Sequence, residues 1–377
     1  MALSIPVRIG IIGLGHVVER FVKATRFFSE LVITAVADVL PPAEARDRLI
    51  KLSLSPDIYF QVEGDSNLPA EFWNRIDAVY DASPQCFRKA YFHAALDHGK
   101  HLLLEKPPGR SAEEGEEILR RSAEHRELRF MCTNHYLFYE PFRIFLKWVR
   151  DGELRPLGRI RRIEGRILED DDLSHPRYKW LLDPTKSGGG VGVDTGVHLV
   201  SRCYALGAEA KVNQAERDSC LALDDPKARI NGQSRIPETY LGILANLEGD
   251  IFTSDSTAWL QVGKRIPKPF ADKSFTVLFE HGKARLDHTH LDVWLNGRLW
   301  KKANATSEPY ANILATFLNS TGADLNRTLE IAVRSLELIF EAYNRAERVP
   351  FYREVETAVG HLVPPEMRVA ERIRVRV

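Results

Sequence analysis

The hydrophobic pattern changes period at a glycine turn near the start of the chain. Val7 to Ile12 is a short apolar run with β-branched residues, and Gly13, Leu14 and Gly15 break it. A helical spacing follows, then a second apolar strand that ends at Asp38. That order predicts a βαβ unit. Pro41 to Leu54 reads as a helix with apolar positions among Glu44, Arg46, Asp47 and Arg48, and Ile76 to Tyr80 as a third strand. Pro84 ends that stretch and opens a helix through Leu96. Gly99 to Leu104 is a leucine-rich strand that stops abruptly at Glu105, Lys106, Pro107 and Pro108. Ser111 to His125 is a helix, with Ser111 as N-cap and Glu114 completing a capping box, and Leu128 to Cys132 is the next strand. Strands alternating with helices predict a doubly wound parallel sheet whose ligand crevice lies at the carboxyl ends of its strands.

The pattern then changes. Pro141 to Arg150 is a helix closed by Asp151 and Gly152, and Gly158 to Leu168 is a strand with Ile160, Ile163 and Ile167 set among Arg159, Arg161, Arg162 and Arg166. This reads as a strand with one wet face, its arginines partly neutralised by the acidic loop Glu169 to Asp172. Tyr240 to Leu247, Ile251 to Trp259, Phe275 to Glu280, Lys283 to Leu286 and Leu291 to Trp300 are further strands separated by glycine or polar turns. Leu329 to Ala346 is a strongly periodic helix, and the basic tail after Pro364 and Pro365 reads as a surface strand. The expected class is α/β, with a dinucleotide-binding Rossmann domain over residues 1–133. An α+β domain with a large, mostly antiparallel open sheet follows over 134–350, for substrate binding and oligomerisation, and 351–377 form a tail. If the far face of that sheet is apolar it needs a cover, which predicts a homodimer or homotetramer through the C-terminal sheet.

Composition narrows the partners. Lys+Arg and Asp+Glu both number 52 in 377 residues, so no global field attracts nucleic acid or an anionic membrane, and neither partner is expected. Cys86, Cys132, Cys203 and Cys220 have no metal-ligand spacing, which fits reduced thiols and argues against a structural metal. Met1 to Pro6 shows no basic-then-apolar leader, and no apolar run approaches the roughly 20 residues of a membrane span. A cytoplasmic protein is the expectation.

The candidate chemistry sits where strands end. Gly13 permits a tight turn, Gly15 lets a pyrophosphate approach the backbone, and a helix starting near His16 and Val17 would offer free amides and a positive dipole end. Val18 stands where a third fingerprint glycine is usual, which predicts looser helix-to-strand packing. Asp38 can accept hydrogen bonds from an adenosine ribose. It would repel a 2′-phosphate, and Val39, Leu40, Pro41 and Pro42 supply no base beside it, so NAD is expected over NADP. Ser83 and Pro84 end a strand facing the cofactor, and of the adjacent Glu105 and Lys106 one should face the crevice and the other the packed side. Gly188, Gly189 and Gly190 allow close approach of a ligand, and helical spacing places Asp194 and His198 one turn apart on one face. His198 is assigned proton transfer, Lys106 orients and polarises the reacting oxygen, and Asp194 positions the substrate or His198. His135, Tyr136, Arg177 and Trp180 offer donors and aromatic faces to a substrate.

The strings GIIGLG, AVAD, Ala82 to Pro84, GKHLLLEKP and GGGVGVDTGVH follow one another in the order found in a known family. The chain resembles the glucose-fructose oxidoreductase, inositol dehydrogenase and rhizopine-catabolism family of nicotinamide-dependent sugar oxidoreductases. The resemblance implies that Lys106 lies beside the nicotinamide and the reacting carbinol. It also implies a hydride transfer between NAD and a secondary alcohol or ketone of a sugar, cyclitol or sugar derivative. Two positions depart from the family pattern: Arg88 stands where a histidine is common, and Phe138 where an arginine is. Two other functions open to such a scaffold are a non-catalytic nucleotide-sensing regulator and an NAD-dependent glycoside hydrolase.

Overall fold

The structure, a computed structural model, describes residues 5–63, 67–175, 178–223 and 237–362. Among these residues six strands form a parallel sheet: β1 (Val7–Ile12), β2 (Leu31–Asp38), β3 (Tyr59–Gln61), β4 (Ala78–Asp81), β5 (His101–Leu104) and β6 (Phe130–Cys132). Their spatial order is β3-β2-β1-β4-β5-β6. The order reverses between β1 and β4, and the carboxyl ends of those two strands therefore flank the crevice in which a doubly wound sheet binds its ligand. Helices on both faces bury the strands, which explains their near-continuous apolar runs. Two short elements went unforeseen, β3 and the helix Ala70–Asn74. Neither is long enough to establish a period.

Nine more strands form the second sheet: β7 (Ile160–Leu168), β8 (Glu209–Asp218), β9 (Tyr240–Glu248), β10 (Phe252–Gly263), β11 (Phe275–Phe279), β12 (Gly282–Leu286), β13 (His290–Leu295), β14 (Arg298–Asn304) and β15 (Ala346–Arg348). Only the β7–β10 and β8–β15 pairings among them are parallel. The stretch expected as one strand, Leu291 to Trp300, is the hairpin of β13 and β14. It turns on Asn296 and Gly297, both at positive φ (50° and 79°), the conformation a tight hairpin requires. The sheet's far face mixes Leu244, Trp259, Leu278 and Trp294 with Arg162, Glu164, Lys283 and Arg285, so it is not the bare apolar surface on which the oligomer argument turned. The acidic loop does not neutralise the arginines of β7 either. Arg162 pairs with Glu164 and Arg166 with Asp272, while Glu169 and Asp171 hold Lys264, and Glu169 also takes Lys273.

The helix Gly322–Arg345 packs against β6 and the helix Ala112–Glu124 on one side and against β8 on the other. It also covers the free edge of the parallel sheet, where the Cys132 amide donates to Thr328 Oγ1 at 3.0 Å. One apolar core runs from Ile9 and Leu103 through Phe142 and Leu260 to Leu336. Part of the expected tail is built into this body. The helix Phe351–Leu362 begins with Phe351 stacked 3.6 Å from the Tyr240 ring, and the buried Tyr352 donates to the carbonyls of Thr239 and Lys264. Pro364, Pro365 and the basic stretch after them lie outside the described residues.

Glu105 is the polar knot of this core. It is 3% exposed and accepts from Tyr80 Oη at 2.8 Å and from Tyr310 Oη at 2.7 Å. Tyr80 in turn stacks on Phe21 at 3.8 Å. Tyr310 belongs to the unforeseen helix Pro309–Asn319, so one carboxylate ties β4 and β5 to a helix from the far end of the chain. Tyr310→Phe leaves Glu105 one charge-assisted donor short, and should lower the unfolding free energy by about 1.5–3 kcal/mol in urea titrations. An unchanged midpoint would mean that water replaces the hydroxyl.

Candidate active site

The nucleotide end of the crevice is built by backbone. Gly13 stands at φ 90° and a Cβ there would lie 3.0 Å from the Ala82 carbonyl oxygen, so only glycine fits. A Cβ on Gly15, by contrast, would meet nothing within 4 Å. What glycine leaves open there is room for a ligand. The helix begins at Val18, two residues later than expected, with His16 exposed and Val17 at the N-cap position. No side chain caps it; the Val18 and Arg20 amides donate to the Gly15 and Val17 carbonyls at 3.3 and 3.1 Å, and the positive dipole end of the helix points at the glycine turn. Val18, where a third glycine is usual, is fully buried in the core. Asp38 is anchored by the amides of Leu14 and Leu40, the latter at 2.9 Å, and Tyr59 Oη donates to the Asp38 carbonyl. These groups fit a dinucleotide. Arg48 also reaches the turn, with Nη2 3.4 Å from the Gly15 carbonyl oxygen.

The next two loops are stapled together. Ser83 donates its amide to Asp81 Oδ1 at 2.9 Å, and the buried Arg88 donates through Nε to the Ser83 carbonyl at 3.0 Å and through Nη1 to that of Pro107. Arg88 thus replaces the family's histidine with a tie between the turn after β4, where Pro84 caps the next helix, and the turn that carries Lys106. Phe138, the other departure, is buried, and its carbonyl accepts from Asn312 Nδ2 at 3.0 Å.

Glu105 and Lys106 point to opposite sides. Glu105, expected among the cofactor-binding residues, lies in the packed layer described above. Lys106 faces the crevice and donates from Nζ to the Asp194 carbonyl at 2.6 Å and to Asp194 Oδ1 at 2.9 Å. Burial works to raise the Asp194 pKa, but the charges of Lys106 and then Lys264 outweigh it and hold the carboxyl at about 2. Asp194 does not orient His198. The residues Gly192–Gly196 form a π-turn, wider than the α-helical turn on which the one-face expectation rested, and the α-helix Val197–Ala205 starts only after it. His198 Nδ1 instead meets Asn134 Oδ1 at 2.7 Å, and its ring stacks on Tyr136 at 4.1 Å.

The glycines before the π-turn serve packing, not ligand approach. A Cβ on Gly188 would fall 2.0 Å from the Arg110 carbonyl oxygen, and one on Gly190 would fall 1.9 Å from that of Glu238. Glu238, buried and unforeseen, accepts from the amides of Gly190 and Gly192 at 3.1 and 3.0 Å and from the Tyr343 hydroxyl. Tyr343 in turn accepts from the Val193 amide at 3.2 Å. The turn carrying Asp194 is therefore held from beneath.

Around His198 lies a nest of rings. His135 sits edge-on to it at 4.8 Å and stacks on Tyr310, and His288 stacks face to face on Tyr139 at 4.2 Å. The buried Arg202 lies over Tyr136, Phe142 and Phe275, and Lys264, paired with Glu169 and Asp171, lies over Tyr178. Lys106, Asp194, His198, His135 and Tyr136 come together as expected. Trp180 does not join them, being half-buried against the cluster of Leu173, Tyr178 and Tyr352, and Arg177 lies outside the described residues. Asn134 follows a strand's carboxyl end, where the crevice edge is expected. His288, in a hairpin loop, carried no signal.

All three histidines are pushed below their ordinary value of 6.5: His135 and His198 well below, by burial first and then by nearby cations, and His288 to about 4 by burial, Arg202 and Lys273. The folded chain therefore binds fewer protons than the unfolded one as the pH falls below 6.5, and stability present above that pH is lost through the window down to about 4. Urea midpoints measured across this window should fall steadily. His288→Gln should flatten the slope by up to about 1.4 kcal/mol per pH unit; an unchanged slope would leave the His288 pKa near normal.

Residues 7–133 match the model of an oxidoreductase family with an NAD-binding Rossmann fold, Gfo/Idh/MocA. Glucose-6-phosphate 3-dehydrogenase of Bacillus subtilis is 25% identical over 239 residues, covering 60% of this chain and 64% of that protein. A glycosyl hydrolase family 109 protein of Porphyromonas gingivalis is 27% identical over 284 residues, covering 71% of this chain and 57% of that protein. The match spans less than two thirds of either relative. In fold the chain is similar to an inositol dehydrogenase homologue from Azotobacter vinelandii complexed with NAD+, with a TM-score of 0.73 at 17% identity over 91% of this chain and 96% of that one. It is also similar to a 3-ketoreductase from Actinomadura kijaniata in complex with NADP and TDP-benzene, with a TM-score of 0.72 at 18% identity over 91% and 99% of the two chains. Residues 7–133 thus carry the NAD-binding Rossmann domain of the Gfo/Idh/MocA oxidoreductase family, and the chain over its described length shares the fold of these dehydrogenases and ketoreductases.

Proposed function

We propose that this chain moves hydride between NAD and a secondary alcohol or ketone of a sugar, cyclitol or sugar derivative. The observation that carries the reading is the convergence of a lysine paired with a carboxylate and a neutral buried histidine beside a dinucleotide cradle. Gly13, Gly15 and the uncapped helix start would hold the pyrophosphate, and Asp38 the adenosine ribose. Bound NAD would supply the hydride acceptor. Lys106 donates to the substrate oxygen and steadies the alkoxide that develops there, while Asp194 holds the ammonium in place. His198 is kept neutral at physiological pH and takes the hydroxyl proton. The ring faces of Tyr136 and His135 lie against the apolar side of the substrate. A homo-oligomer through the large sheet belongs to the same proposal, with the mixed face of tryptophans, leucines and charged residues as the surface to be covered.

The glycosyl hydrolase family 109 relative favours a second reading, in which oxidation at one carbon is transient and labilises a glycosidic bond. Sugar release with no net NADH would select it.

Lys106→Met and His198→Asn should each lower turnover by orders of magnitude and leave the NAD dissociation constant within a few-fold, because both groups act on the substrate oxygen. Near-normal turnover in either variant removes that residue from the mechanism.

NAD should bind at least about tenfold more tightly than NADP, since a desolvated contact between Asp38 and a 2′-phosphate costs more than about 1.4 kcal/mol. Asp38→Ser should narrow that ratio mainly by improving NADP. Titrations followed by tryptophan fluorescence read both numbers. Equal or tighter NADP binding in the wild type would mean that Arg48, poised at Gly15, outweighs Asp38.

A further inference from the structure

His198 is oriented by a buried chain of hydrogen bonds whose direction can be worked out from its far end. Ser335 Oγ donates to the Ile331 carbonyl at 2.6 Å. A carbonyl can only accept, so the Ser335 proton is committed there. The 2.8 Å contact between the hydroxyls of Ser201 and Ser335 must then be donated by Ser201. With its own proton spent, Ser201 accepts from Asn134 Nδ2 at 2.8 Å. This settles which way the Asn134 amide faces, a choice that a hydrogen-bond network decides. Its Oδ1 is the atom turned to His198 Nδ1, at 2.7 Å. An amide oxygen cannot donate, so the proton in that contact belongs to His198 Nδ1, and Nε2 carries the lone pair.

We propose that Asn134 is a positioning residue that fixes His198 in the Nδ1–H tautomer, with Ser201 and Ser335 as its anchors, and so keeps Nε2 free to take the substrate proton. The proposal rests on the reading of His198 as the base. Asn134, Ser201 and Ser335 are at most 1% exposed, so water has little access to replace any link. The side chain is an amide for a reason that the surroundings supply. Lys106, His135, Arg202 and His288 bear on the imidazole from neighbouring elements, Tyr136 covers its face, and Asp194 on the preceding turn is taken by Lys106. Buried beside Lys106 and Arg202 the ring stays neutral, and what needs control is which nitrogen holds its single proton. A carboxylate in place of the amide would stabilise the imidazolium, the form that cannot accept a proton. An amide sets the tautomer without adding charge.

The test has a spectroscopic arm and a kinetic arm, both on the full-length protein. In protein labelled with 15N-histidine, with His198 assigned by its absence in His198→Gln, neutral His198 should show a protonated Nδ1 and an unprotonated Nε2. A protonated Nε2 would overturn the proposal whatever the enzyme's activity, so this arm stands apart from the functional reading. In the kinetic arm, Asn134→Asp, nearly the same shape, should raise His198's pKa and move the acid limb of kcat for alcohol oxidation to higher pH by at least about one unit. Asn134→Ala should lower kcat at least about tenfold with KM for the alcohol within about threefold. An unmoved acid limb in Asn134→Asp, or losses confined to KM in Asn134→Ala, would reduce Asn134 to a structural cap. A wild-type protein that oxidises no polyol would sink the proposed reaction while the tautomer measurement still decided the role of Asn134.

Discussion

The ion pair between Lys106 and Asp194 is the contact on which the rest of the site depends. Each side chain is less than a fifth exposed, and at such a depth desolvation costs a charge several kcal/mol unless a partner is held in good geometry. Here the geometry is doubled, because Lys106 meets both the carboxylate and the backbone carbonyl of the same residue. Lys264 adds a second positive charge near Asp194, itself balanced by Glu169 and Asp171. The pair joins the end of the parallel sheet to the π-turn beneath the second sheet. It therefore fixes the crevice's width as well as its charge.

A pair so placed needs both partners to arrive at fixed positions, and the surrounding polar groups see to that. Arg88 ties the Lys106 turn to the turn after β4, while Glu105, one residue before Lys106, is locked between Tyr80 and Tyr310. On the other side Glu238 and Tyr343 gather the amides of the glycine-rich segment that leads to Asp194. The replacement of a histidine by Arg88 thus reads as a structural change that leaves the reacting groups in place. A buried carboxylate behind each of the two active-site turns is the shared device, and burial strengthens each hydrogen bond those carboxylates accept.

The two ends of the crevice differ in how they handle charge. The nucleotide end relies on backbone: an open glycine, a helix start with no side-chain cap and one carboxylate anchored by amides. The substrate end relies on side chains that offset one another, with three depressed histidines and the buried Arg202 set among aromatic faces. Such a site favours neutral donors and acceptors, and burial beside Lys106 keeps His198 unprotonated.

Local pattern was enough for much of this. The switch from period 2 to a helical period at Gly13, the double-sided apolar runs of β1, β4 and β5, and the N-cap at Ser111 are written in neighbouring residues. The parallel sheet and its crevice were legible for that reason. So was the divergence of Glu105 and Lys106, since consecutive side chains on an extended strand must face opposite ways. Contacts between distant segments were not legible. Asp194 meets Lys106 across 88 residues, His198 meets Asn134 across 64, and Glu105 meets Tyr310 across 205. Spacing alone assigned Asp194 to His198 because it assumed an α-helical turn. The backbone there is a π-turn, held by Glu238 from a loop and Tyr343 from a helix far along the chain. Sequence therefore determined which residues stand at the strand ends and turns of the candidate site, and tertiary packing decided which of them hold one another, because a partner's identity depends on distances that no local period encodes.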